Sequence, residues 1–335
     1  MFNSGFSLYL LQTNYFIMKQ RCTLSQLLGI EHSILLAPMF LISNTKMVIE
    51  ALSCGCTAAI PALNYRSEKE LHEAILEIRR AISKPFGFNL IVNKSNLKYK
   101  SQLKTLLDLK VDFIITSLGN PKDVIASCQP LGIKVFCDVT DVEYAQKVEQ
   151  LGADAIIAVN SQAGGHCGHL PAKELISKLL QFTNLPIVSA GGIRNNLDVK
   201  QMMEWGASGV SVGTIFIATY ESDVSKEYKQ AMIQYGSKDI IKSTKLTGSA
   251  LTVINTAYVK RIGTKANFWE WLINNSSILK KYAKLILAWQ GMSKVKKSAF
   301  KASYQNVWCA GPSIESVKSI RSVKDVLSGL IQADN

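Results

Sequence analysis

The stretch TDVEYAQKVEQLGADAIIAVNSQAGGHCGH, residues 140–169, holds one complete unit of a repeating architecture. Val142, Ala145 and Val148 recur at three-residue steps and line one face of a helix, and Gly152 ends it. DAIIAV (154–159) follows as a nearly continuous apolar run, the pattern of a parallel strand buried on both faces. A loop with three glycines and two of the chain's four histidines then closes the unit.

Working outward, the same grammar recurs. QMMEWGASG (201–209) repeats the helix–glycine–strand order. Strand-like runs stand at SILLAP (33–38), TAAIP (57–61), FGFNLIV (86–92) and DFIITS (112–117), then at IKVFCD (133–138), DAIIAV, PIVSA (186–190) and GVSVG (209–213). Between the second and third, Leu71, Ala74, Ile75, Ile78, Ala81 and Ile82 keep helical spacing. Ser67 with Glu70 three residues on forms a capping-box pattern, and Pro85 stops the segment. Eight β/α alternations predict a (β/α)8 TIM barrel rather than a doubly wound sheet, which usually stops at five or six strands.

The barrel is expected over residues 21–220, after an extension at 1–20 that is expected to be poorly ordered, with Met18 an alternative start. FWEWLINNSSILKKYAKLILAW (268–289) and SIRSVKDVLSGLIQ (319–332) read as helices. A smaller, basic helical subdomain is therefore expected over 221–305, and a segment returning to the barrel over 306–335.

Composition fits a folded chain: 47% hydrophobic and 19% charged residues allow a sizeable core. The net charge of +13 is uneven. Residues 1–220 hold 20 Lys+Arg against 17 Asp+Glu (+3), and residues 221–335 hold 18 against 8 (+10). Basic runs such as KKYAK and KVKK read as solvated helix faces, and the near-neutral barrel argues against nucleic acid as partner. Seven scattered cysteines suggest a reducing cytoplasm without a disulfide framework. The N-terminus lacks the order of charges a signal peptide needs, and no apolar run is long enough to span a bilayer.

Loops after the C-terminal strand ends build the site of such a barrel. Glycine pairs there let backbone N–H groups approach a ligand. Gly191-Gly192 after the seventh run and Gly213-Thr214 after the eighth mark a phosphate site. His166, one strand away, is placed to move a proton. His169 has no third ligand, Cys54-Gly55-Cys56 has no partner pair, and His32 and His72 lie in distant segments; no metal site is expected. Neither a P-loop nor a G-x-G-x-x-G fingerprint is present.

APM (37–39), FGFNL (86–90), QAGGHCGH (162–169), SAGGI (189–193), VGTIFIATYES (212–222) and NVWCAGPSIESV (306–317) occur in one order. That set resembles the nitronate monooxygenase family, formerly 2-nitropropane dioxygenases, which includes the FMN-dependent enoyl-acyl-carrier-protein reductases. The resemblance covers residues 33–335. It implies non-covalent FMN, with Asn89 bonding the flavin ring and Ala37, Pro38 and Met39 supplying backbone beside it. Gly164 matches the glycine before the histidine, Gly192 a phosphate-loop glycine, and Ser211, Val212, Gly213 and Thr214 the segment closing over the phosphate. His166 matches the catalytic base. Where the family often reads A-Q-G-x-E-A-G-G-H, this chain reads AVNSQAGGH; Val159 replaces a flavin-contacting glutamine, Asn160 a glycine and Gln162 an acid.

The resemblance implies oxidation of alkyl nitronates by O2 to carbonyl compounds and nitrite. The alternatives on the same scaffold are an enoyl-acyl-carrier-protein reductase or a quinone reductase, either taking hydride from NAD(P)H. The reductase alternative would bring an acidic carrier protein to the basic C-terminal third. From a different class, a flavin-binding or nucleic-acid-binding protein without turnover is disfavoured by the intact GGH loop and the near-neutral barrel. A homodimer is compatible with all of these.

Overall fold

The computed structural model describes residues 21–93, 96–243, 251–264 and 307–332. The expectations for residues 1–20 and for the helix at 268–289 lie outside them.

All eight predicted runs become strands of one closed parallel barrel. They are β1 (Ile34–Leu36), β2 (Thr57–Pro61), β3 (Gly87–Ile91), β4 (Phe113–Ser117), β5 (Lys134–Val139), β6 (Ala155–Val159), β8 (Ile187–Ala190) and β9 (Gly209–Val212). β9 pairs with β1 through Leu35 and Ser211, which closes the cylinder. β7 (Gly165–His166) stands outside it.

Strand side chains alternate between two cores. Leu35, Ala59, Phe113, Ile115, Phe136, Ala155, Ile157 and Val188 fill the interior, with Phe113 and Phe136 stacked at 4.9 Å. Leu24 of α1 (Leu24–Leu28) joins that cluster and plugs the N-terminal end; its N–H donates to Ser208 O at 2.7 Å.

The other strand faces pack on helices α2 (Thr45–Ser53), α3 (Glu68–Ala81), α4 (Tyr99–Asp108), α5 (Lys122–Cys128), α6 (Val142–Gln150), α7 (Ala172–Phe182) and α8 (Asn196–Glu204). Ser67 caps α3 by accepting from Glu70 N at 3.1 Å. The Glu70 carboxylate accepts from Arg66 N at 2.7 Å, one residue earlier than a capping box requires.

Beyond residue 220 the expectation of a helical subdomain is corrected for the described residues. Helices α9 (Lys226–Gln234) and α10 (Ala257–Ile262) are present, but β10 (Ile240–Ser243) and β11 (Leu251–Ile254) lie between them. They form an antiparallel sheet in the order β10–β11–β7. Leu251, Val253, Val259 and Val307 share a small core of their own. The β-branched content of LTVI suits a strand, and pairing to a distant segment decides it. The final helix, α11 (Val323–Ile331), packs against α2 and α8 and completes the helical ring.

Candidate active site

Pairing register carries the interior face to the mouth at Asn89, Ser117, Asp138, Val159, Ala190 and Ser211. On one side a polar chain crosses three strands. Asn89 Nδ2 donates to Ser117 Oγ at 2.6 Å and to Ile115 O at 3.2 Å. Ser117 Oγ in turn donates to the Asp138 carboxylate. Both amide hydrogens of Asn89 are thus engaged, which leaves its Oδ1 as acceptor. Burial pushes the Asp138 carboxyl up to about 6, and the Ser117 hydrogen bond only partly offsets this.

On the other side the glycine loops interlock around Asn160, which is fully buried. Its Nδ2 donates to Gly191 O at 2.9 Å, and its Oδ1 accepts from Gln162 N at 2.8 Å. Its backbone O accepts from Ala163 N at 3.3 Å and Gly168 N at 3.2 Å. Gly191 and Gly192 adopt φ +113° and +84°, where a side chain is strained. A Cβ on Gly191 would lie 2.6 Å from Asn160 Oδ1.

Three segments distant in sequence converge at Gly164. A Cβ there would lie 2.8 Å from Thr214 Oγ1 and 3.0 Å from Gly311 N. Thr214 Oγ1 accepts from Gly311 N at 3.0 Å and keeps its own hydrogen for a ligand. Gly213 sits against Met39 and Ala37; a Cβ there would meet the Met39 sulfur at 3.3 Å. Ser211 faces the interior, whereas the Val212 side chain lies in the outer core. Val212 could meet a ligand only through its backbone, and its carbonyl accepts from Ala37 N at 2.9 Å.

His166 is presented by β7, opposite Leu251 of β11. Thr252 Oγ1 secures this loop by donating to Ala163 O at 2.8 Å and Gly165 O at 3.2 Å. The imidazole is exposed, yet the surrounding protein desolvates it and lowers its pKa below 6.5. All seven cysteines are unpaired. Burial pushes Cys56, Cys128, Cys137 and Cys309 up to about 12 and raises Cys167, so none of these five is a ready thiolate.

The structure thus brings Met39, Gly164, Gly191, Gly192, Gly213 and Thr214 into one connected rim. Asn89 stands on the strands across from it. Sequence reasoning missed Asp138 and Gly311. Asp138 ends the apolar run IKVFCD, and only the strand register shows that it turns inward; nothing local pointed to Gly311.

The family model for nitronate monooxygenase matches residues 93–333. The chain belongs to the nitronate monooxygenase family. As a member it is a flavin-dependent oxidoreductase. It is 25% identical to a probable nitronate monooxygenase of Staphylococcus aureus, over 81% of this chain and 91% of that one. It is 23% identical to a Rhodococcus jostii (3aS,4S,5R,7aS)-5-hydroxy-7a-methyl-1-oxo-octahydro-1H-indene-4-carboxyl-CoA dehydrogenase, over 93% and 95% of the two chains. The solved structure of FabK from Thermotoga maritima superposes with a TM-score of 0.79 at 25% identity, covering 92% of this chain and 94% of that one. Among the described residues no helix is long and apolar enough to cross a membrane, and no three His, Cys, Asp or Glu side chains converge as a metal site would require.

Proposed function

We propose that this chain is an FMN-dependent nitronate monooxygenase that oxidises alkyl nitronates with O2 to carbonyl compounds and nitrite. The observation that carries the reading is His166, exposed on a loop locked to both glycine rims. The residues present fit the cofactor. Glycine at 164 and 191 lets the loops close on Thr214, Gly311 and Asn160 where a Cβ would clash, and the Thr214 hydroxyl retains a hydrogen for a phosphate oxygen. Asn89 Oδ1 is positioned to accept from the ring. FMN, when bound, supplies the redox chemistry.

The rest falls to the chain's own side chains. His166 Nε2 or Nδ1, neutral because desolvation lowers its pKa, removes the proton from the carbon alpha to a neutral nitro group. A nitronate arrives already deprotonated and needs His166 only for orientation. The sign of the shift sets the pH profile. The base form persists to lower pH than in a free imidazole, so the acidic limb for nitroalkane oxidation is displaced to lower pH than an ordinary histidine would give. His166→Gln is expected to retain the yellow flavin spectrum and lose about 100-fold or more in nitroalkane turnover, with a smaller loss for the preformed nitronate. Equal retention of both activities sinks the assignment.

A second reading is favoured by the Rhodococcus relative, whose named substrate is a CoA thioester, and by the likeness to FabK. It makes the chain an enoyl-thioester reductase or related dehydrogenase, with NAD(P)H as hydride source and a CoA or acyl-carrier thioester as substrate. Anaerobic flavin bleaching separates the two: nitronate bleaches a monooxygenase, and NADPH bleaches a reductase.

A further inference from the structure

Among the described residues, Asp138 is the one ionisable side chain of the inward-facing strand positions at the mouth; Asn89, Ser117, Val159, Ala190 and Ser211 accompany it. Its position is set by geometry. It follows Phe136 by two residues on β5, so it shares the interior face, and it stands opposite Ile157 of β6. Ser117 of β4 holds the carboxylate and Asn89 of β3 holds Ser117. No lysine, arginine or histidine among the described residues pairs with it. The titratable groups around it are Cys137 on the same strand and Tyr144 of α6, whose hydroxyl donates to Gly119 O; Asp141, the α6 N-cap, acts on Tyr144. None is a cation. An uncompensated carboxylate facing a partly desolvated mouth repels any anion that enters.

We propose that Asp138 is a specificity-determining residue that turns the site against anionic substrates and toward neutral ones, so that the nitroalkane rather than its nitronate is taken from solution. The inference rests on the nitro-compound reading above and narrows it: the nitronate is made in the site, by His166, instead of being captured. Burial pushes the carboxyl up to about 6, so the discrimination is present at neutral pH and fades below that value.

The test uses the full-length, FMN-loaded protein and Asp138→Asn. Anaerobic flavin reduction by nitroethane and by preformed ethylnitronate is followed from pH 5 to 8. At pH 7.5 the variant is expected to raise the rate constant per unit concentration for ethylnitronate about tenfold, with a much smaller change for nitroethane. Binding of nitrate, a planar oxyanion that does not react, gives a readout free of turnover. Followed by flavin absorbance, it should tighten about tenfold in the variant at pH 7.5 and be unchanged at pH 5.

Ser117→Ala covers the case in which Asp138→Asn does not fold. It removes the donor that lowers the Asp138 pKa, so nitrate binding should weaken at a higher pH than in the wild type. Unchanged nitrate affinity and unchanged substrate preference in a folded variant overturn the proposal. If neither nitro compound reduces the flavin while nitrate still binds tighter in Asp138→Asn, the nitro-compound reading fails and the charge discrimination stands.

Discussion

Asn160 shows how a single residue can carry a different meaning in a structure than in a string. In the sequence it reads as a departure, an amide where the family often has glycine. In the fold it is fully buried, and its side chain and backbone bond Gly191, Gln162, Ala163 and Gly168. One amide thereby ties the loop after β6 to the loop after β8. Its place in this chain is loop assembly. Asn160→Ala leaves the Gly191 carbonyl and the Gln162 N–H without their partners, a cost of about 2 kcal/mol. A lowered melting temperature and weaker FMN retention on dialysis are the expected results; an unchanged melt would refute this role. Gly191 and Gly192 were legible as a tight glycine turn at a strand end, and both adopt positive φ. Asp138 was not singled out, because an acid ending an apolar run looks the same whether it faces solvent or the barrel interior.

At the scale of elements, the helical segments and barrel strands were readable because each carries its own period. The sheet of β7, β10 and β11 was not. β7 is two residues long, too short for any period, and its partner lies more than eighty residues away. Yet this sheet positions the GGH loop. Thr252 makes the connection, since its hydroxyl bonds two carbonyls of that loop. Thr252→Val keeps the shape and the β propensity and removes the donor. We expect a stability loss of about 1 kcal/mol and a larger fall in kcat than in flavin affinity. A variant with wild-type kcat would show that His166 does not depend on this clamp.

For the whole molecule, the decisive fact is that the chain's end completes what its middle begins. Gly311 donates to Thr214, and α11 buries Val323, Val326, Leu327 and Leu330 against the ring of helices. Asn196 Nδ2 caps it by donating to Leu330 O at 2.8 Å and Ile331 O at 3.1 Å. Four buried aliphatic side chains contribute about 2 kcal/mol each. A chain ending at residue 306 should therefore fail to accumulate as soluble, flavin-binding protein. A soluble yellow product from that truncation would mean that the barrel closes without α11.

By itself the sequence determined the barrel, because eight apolar runs and the helices between them each encode their conformation in local spacing. It also determined which loops would be rich in glycine, and where a histidine would stand among them. Only the tertiary structure decided that Asn160 holds two loops together, that Thr214 meets Gly311, and that Asp138 turns inward beside Ser117. These are relations between residues on different segments. Side-chain direction, burial and hydrogen-bond partners at such points depend on strand register and ring closure, which no local pattern specifies.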